Sequence, residues 1–69
     1  MKTFWQHANG QVYAVESDTF GRIIGAAGPF ELDELRDPSE YTYQCGLTGW
    51  ISRAIEQHKL RRINPVLSR

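Results

Sequence analysis

The chain has 69 residues and no net charge, because eight Lys and Arg balance eight Asp and Glu. A chain this short buries only about 60% of the surface that its unfolded form exposes, so we predict a single domain, residues 1–69, without a large catalytic cleft. The hydrophobic fraction is 41% and includes eight aromatic residues, which is more than a disordered segment carries. The composition therefore predicts a folded domain.

Membrane insertion, secretion and metal binding are not expected. The longest stretch without polar side chains is 23–30, far shorter than the roughly 20 apolar residues of a membrane span. The N-terminus shows no signal-peptide core, so we expect a cytoplasmic protein. The single Cys45 cannot form an internal disulfide, and with His7 and His58 it lacks the spacing of a zinc site. We predict no metal, no cofactor and no small-molecule ligand.

The charges are separated along the chain. Residues 31–40 hold five carboxylates against one arginine, a net charge of −4, whereas residues 53–69 hold five basic residues against one glutamate, a net charge of +4. Segments of this kind are ordinarily solvated, or they pair with each other across the fold. The alternative is a basic docking surface at the C-terminal end.

Two turn signals predict a three-stranded antiparallel β-meander over 2–27. Asn9 and Gly10 supply the two positive φ angles of a type I′ turn between strand-forming runs. Asp18 and Gly21 mark a second turn. The predicted strands are 2–8, 11–17 and 21–27, and the third should end near Ala27 because Pro29 lacks an amide for the ladder.

With Asn9-Gly10 as a two-residue loop, Phe4 pairs with Val15 and Trp5 with Ala14, and side chains alternate between the faces. One predicted face carries Phe4, Gln6, Tyr13 and Val15, and the other carries Trp5, His7, Val12 and Ala14. Both faces therefore carry large apolar groups.

Residues 28–46 are predicted to form an acidic connecting segment, since Pro38 forces the preceding residue out of helical conformation. A connection of this length carries a function or packs anchors on the sheet, and we favour packing by Phe30, Leu32 and Leu35.

The clearest periodicity predicts an amphipathic helix over 47–61, followed by a basic tail over 62–69. Apolar residues and one histidine share a single helical face: Leu47, Trp50, Ile51, Ala54, Ile55 and His58. The fold class predicted is α+β, a three-stranded antiparallel β-meander packed against this one C-terminal α-helix.

No catalytic residues are predicted. Cys45 precedes the predicted helix, where helix amides stabilise a thiolate, but the sequence places neither His7 nor His58 beside it as a base. His58 is interpreted as a residue at the helix end, and His7 as a strand residue packing beside Trp5. We therefore expect a protein that is not an enzyme.

The aromatic residues favour a protein-binding module that self-associates or binds a protein partner. One helix covers only one face of a sheet, so the other face needs a partner or the connecting segment as cover. The candidate protein-binding residues are Trp5, Tyr13, Tyr41 and Tyr43.

The alternative is a nucleic-acid-binding domain that uses the basic C-terminal end, because several cations together neutralise phosphates. The candidate residues for this alternative are Arg22, Arg53, Lys59, Arg61 and Arg62.

Overall fold

In residues 1–67, four antiparallel strands and one α-helix form an α+β fold. The computed structural model describes residues 1–67, so residues 68 and 69 of the predicted basic tail lie outside the described residues. The elements are β1 (Lys2–His7), β2 (Val12–Ser17), β3 (Ile23–Phe30), α1 (Thr48–Glu56) and β4 (Leu60–Ile63). The strand order is β3-β2-β1-β4, so the predicted meander is present and the prediction of only three strands is wrong.

The β1–β2 hairpin differs from its prediction by one residue in register. His7 and Gln11 close a three-residue loop through the His7 amide, which donates to the Gln11 carbonyl over 2.8 Å, and only Gly10 in this loop has a positive φ, 93°. Phe4 consequently pairs with Ala14 instead of Val15. Since a shift of one residue exchanges the faces of one strand relative to the other, the two predicted sets of face residues are wrong.

β3 continues to Phe30 and does not end near Ala27. It is an edge strand, where a proline such as Pro29 is tolerated. The pairing of β2 with β3 shifts register between Val12 and Ala14. Gly28 lies at this irregularity with a φ of 132°, and a Cβ there would approach the Val12 carbonyl oxygen to 3.0 Å, so only glycine fits without displacement.

The helix covers one face of the sheet. Ile51 and Ala54 of α1 are buried against Val15 and Ala26, and Leu60 of β4 completes this cluster. Partly buried side chains surround it, namely Trp5, Tyr13, Ile23, Leu47 and Ile55. The predicted core-facing side of the helix is therefore confirmed for Ile51 and Ala54, and we call this cluster the helix-side core.

The connecting segment covers the opposite face. Leu35 is 2% exposed and packs in a second cluster with Phe4, Val12 and Ala14, while Leu32 is 49% exposed. The segment contains three short 3₁₀ turns, Leu32–Glu34, Pro38–Glu40 and Cys45–Leu47. Packing by Leu35 and Phe30 is thus as expected, whereas the expectation for Leu32 is wrong. We call this cluster the loop-side core.

The helix is shorter than predicted. It ends at Glu56, not at residue 61, and His58 adopts a φ of 59°. The His58 amide donates to the Ile55 carbonyl over 3.1 Å and the Lys59 amide to the Ala54 carbonyl over 2.8 Å. These two bonds form a Schellman motif, which reverses the chain into β4. Arg62, assigned to the tail from the sequence, is therefore a strand residue.

Candidate functional site

The four aromatic residues predicted for protein binding do not share one surface. Trp5 and Tyr13 pair across β1 and β2 and pack against the helix-side core. Tyr41 and Tyr43 pack against the loop-side core on the other face of the sheet. All four are partly buried, so the structure divides the predicted site between two packed clusters.

Tyr41 and Tyr43 fix the connecting segment to the sheet. The Tyr41 ring stacks on Phe30 with centroids 4.6 Å apart, and its hydroxyl oxygen accepts a hydrogen bond from the Arg36 amide over 2.8 Å. The Tyr43 hydroxyl donates to the Pro38 carbonyl over 2.9 Å. Burial, followed by the nearby Glu16 carboxylate, raises the pKa of Tyr43 to about 12. Both tyrosines therefore have structural partners of their own.

The predicted basic residues separate into two groups. Arg22 lies in the turn between β2 and β3, where its Nε donates to Asp18 Oδ2 over 3.1 Å. Hydrogen bonds from the Arg22 and Phe20 amides to Asp18, together with the guanidinium, hold the pKa of that carboxyl below its usual range. Arg22 is at the end of the sheet opposite to the β1–β2 loop, because β2 separates the two turns.

Lys59, Arg61 and Arg62 lie together in and beside β4 and are exposed. Arg61 pairs with Gln6, and Arg62 pairs with Trp5. Since neighbouring strand residues alternate, Arg62 lies on the same side as Leu60 and the helix, and Arg61 lies on the opposite side. Arg53 is exposed on α1. Lys59, Arg61 and Arg62 thus lie on both sides of β4 and do not form one flat patch.

A groove of about 380 Å³ lies at this end of the sheet, between the β1–β2 loop and residues 58–61. Its described lining is Gln6, His7, Ala8, Gly10, His58, Lys59, Leu60 and Arg61. This lining contains two cations and two imidazoles, and no Asp or Glu is among the described residues that form it. We call it the basic groove.

Hydrogen bonds fix the β1–β2 loop, which forms one side of the basic groove. The Gln6 side-chain amide donates to the Gly10 carbonyl over 3.1 Å, and the Gln11 amide donates to Asn9 Oδ1 over 2.9 Å. The Asn9 amide donates to His7 Nδ1 over 3.2 Å, so a neutral His7 carries its proton on Nε2. The His7 ring therefore has one nitrogen engaged by the loop and the other available to donate.

An exposed aromatic ring adjoins the basic groove. Trp50 of α1 is 40% exposed, and its ring lies nearly parallel to that of His7, with centroids 6.4 Å apart and an interplanar angle of 19°. The Trp50 ring also lies against Tyr13, with 5.1 Å between the ring centroids. His7 thus belongs to both the groove lining and the aromatic cluster.

The sequence did not identify His7, His58 or Trp50 as site residues. His58 and Trp50 fall on the apolar helical stripe, which favours packing, and His7 falls in a strand. The structure brings them together by reversing the chain at His58 and pairing β4 with β1. No local sequence signal relates His7 to His58, because they approach each other only through this non-local pairing.

A second cavity, of about 620 Å³, lies over the loop-side core and is mainly acidic. Its described lining is Asp33, Glu34, Leu35, Arg36, Asp37, Glu40 and Leu67. Arg36 pairs locally with Glu40 over 3.9 Å. Among residues 1–67, no ion pair joins this acidic segment to the basic residues 53–62. Among the described residues, the lining of this cavity is thus mainly acidic and that of the basic groove is basic.

Cys45 is exposed and begins a 3₁₀ turn ahead of α1. Its Sγ lies 3.8 Å from the Ile24 carbonyl oxygen. In residues 1–67, no group of three or more His, Cys, Asp and Glu side chains is arranged to hold a metal ion. No helix in the described range has the length and apolar character to span a membrane.

Comparison with known proteins gives no match, whether with family models, with curated proteins or with solved structures.

Proposed function

We propose that the chain is a non-enzymatic module that binds nucleic acid through the basic groove and the β4 edge. The basic groove is the observation that supports this proposal most directly. Lys59, Arg61, His7 and His58 line it, and its described lining contains no carboxylate. Phosphates bind such clusters of cations and N–H donors.

The neighbouring ring favours nucleic acid over an acidic protein as the polyanion. Nucleic acids combine regularly spaced phosphates with flat bases, and proteins that bind them combine cations with exposed aromatic rings. Trp50 supplies such a ring beside the groove, through its contact with His7. An acidic peptide has the charge but no comparable flat group for this ring.

The test is fluorescence anisotropy of labelled single-stranded DNA, duplex DNA and RNA at low and moderate salt. Contacts from Lys59 and Arg61 predict a slope of about −1.4 in log K against log salt for single strands, or about a sevenfold loss between 50 and 200 mM, and about −1.8 for duplex DNA. The double variant Arg61→Glu/Arg62→Glu is expected to lose this binding while keeping its circular dichroism spectrum.

Arg22→Gln is the matched control for Arg61→Gln. Both changes remove one exposed guanidinium, but Arg22 lies at the far end of the sheet. Arg61→Gln should weaken binding and reduce the salt slope by about 0.7, whereas Arg22→Gln should do neither. Absence of binding at about 100 μM protein, which reaches typical non-specific dissociation constants, would refute the proposed function.

A second candidate is the protein-binding module that the aromatic composition favours, and the open edge of β4 supports it. In residues 1–67, β4 pairs with β1 alone, so its outer edge offers backbone groups to an added strand. Sedimentation analysis over a range of protein concentrations tests self-association through this edge. A mass of one chain throughout the range would contradict self-association.

A further inference from the structure

The Trp50 ring lies against two other rings and is still partly exposed. It contacts Tyr13 and His7, both anchored on the sheet, while 40% of the residue remains exposed. A ring fixed in this way loses little conformational freedom when a ligand stacks on it. The exposed part of Trp50 is therefore preorganised for contact with a ligand, and we call it the stacking surface.

The stacking surface and the basic groove share His7. The ring of His7 lies against Trp50 and also lines the groove with Lys59 and Arg61. His7 therefore lies between the Trp50 ring and Lys59 of the groove lining, whereas Arg61 reaches the groove from the other side of the sheet. A nucleotide has the two matching parts, a flat base and a charged phosphate, because its sugar joins them.

Only an unpaired base can use the stacking surface. In a duplex the faces of the bases are covered by their neighbours, and proteins read the base edges in the grooves. In a single strand each base can present its face to an aromatic side chain. An exposed aromatic ring such as that of Trp50 therefore favours unpaired over paired bases.

We infer that the ligand of this surface is single-stranded nucleic acid, with one base stacked on Trp50 and an adjacent phosphate in the basic groove. This inference rests on the proposed function and adds the class of nucleic acid and the role of each part of the surface. Lys59 and Arg61 contribute affinity that depends on salt, and Trp50 contributes the preference for unpaired bases.

The first experiment follows the emission of Trp50 directly. The chain has two tryptophans, so a Trp5→Phe background leaves Trp50 as the only indole. Oligothymidine of about ten nucleotides, which spans the usual site sizes of small single-strand-binding folds, should quench this emission in a saturable manner. A duplex of the same length should bind at least about fivefold more weakly, because it lacks the stacked base.

The second experiment compares variants at two exposed aromatic positions. Trp50→Leu should weaken oligothymidine binding by at least about fivefold, and Trp50→Phe should restore much of the affinity because it keeps a ring. Phe20→Leu is the matched control, since Phe20 is 83% exposed in the turn at the far end of the sheet. Thermal midpoints show whether each variant is folded.

The outcomes separate this inference from the proposed function. Salt-dependent binding that is equal for single strand and duplex, with unchanged Trp50 emission and no effect of Trp50→Leu, would overturn the inference and leave the proposed function standing. Absence of binding by every nucleic acid in the original protein would overturn the proposed function and the inference with it. Selective quenching by oligothymidine together with loss in Trp50→Leu supports both.

Discussion

The Lys59 amide donates a hydrogen bond to the Ala54 carbonyl over 2.8 Å, and this bond reverses the chain from α1 toward β4. The reversal requires His58 between them to adopt a φ of 59°. The left-handed region costs a residue with a Cβ roughly 1–2 kcal/mol, whereas glycine adopts it freely. His58 is thus a strained residue at the point where the helix, β4 and the basic groove meet.

Replacing His58 with glycine is expected to stabilise the fold. The substitution relieves the left-handed conformation, and the extra freedom of glycine in the unfolded chain offsets part of the gain, so we expect about 0.5–1 kcal/mol. His58→Ala keeps a Cβ and should give no such gain. Urea denaturation of the three proteins measures the difference, and destabilisation by His58→Gly would show that the imidazole itself stabilises the turn.

Ile51 should be among the most sensitive positions of the helix-side core. It is fully buried on α1, so Ile51→Ala removes apolar contacts and leaves a cavity at a cost of about 2–5 kcal/mol. A change of 1 kcal/mol shifts the thermal midpoint of a domain this small by about 4–8 °C. Calorimetry should therefore show a decrease of at least about 8 °C, and an unchanged midpoint would contradict the packing of α1.

Two leucines of the connecting segment provide a matched pair. Leu35 is 2% exposed in the loop-side core, whereas Leu32, three residues earlier, is 49% exposed. Leu35→Ala should cost about 2–5 kcal/mol, while Leu32→Ala should change stability by less than about 1 kcal/mol. Equal effects of the two substitutions in urea denaturation would show that the segment does not cover this face of the sheet.

Stability should decrease in alkaline solution as Tyr43 ionises. Burial raises the folded-state pKa of Tyr43 from 10.0 to about 12, so the fold favours the neutral phenol. This contribution is present below pH 10 and is lost as the pH rises from about 10 to 12. The urea midpoint should fall over that interval, and the phenolate absorbance component near pH 12 should be missing in Tyr43→Phe. Its persistence in the variant would assign it to another tyrosine.

The β1–β2 hairpin shows that a local turn signal predicts the position of a turn but not its strand register. Asn9 and Gly10 marked the turn correctly, because the residues that favour a reversal act within the loop. The loop has three residues, however, and Asn9 accepts from the Gln11 amide through its side chain instead of adopting a positive φ. The Asn9-Gly10 dipeptide by itself is compatible with a two-residue or a three-residue loop. The hydrogen bond of the Asn9 side chain and the packing of the core favour the three-residue loop.

The end of the helix shows a second limit. The apolar helical stripe runs from Leu47 to His58, and no glycine marks the reversal at His58, so the sequence favoured a helix continuing to residue 61. In the fold, Leu60 is buried in the helix-side core and Ile63 packs against the loop-side core. Pairing with β1 thus outweighed the local preference.

By itself, the sequence determined the α+β class, the meander and the core-facing residues Ile51 and Ala54, since turn signals and side-chain periodicity act over a few neighbouring residues. Only the tertiary structure decided that β4 pairs with β1 and that Leu35 lies over the second sheet face. These contacts depend on the burial of apolar surface between distant segments, which short-range spacing does not encode. The basic groove has the same origin, because pairing across the sheet brings His7 and His58 to one surface.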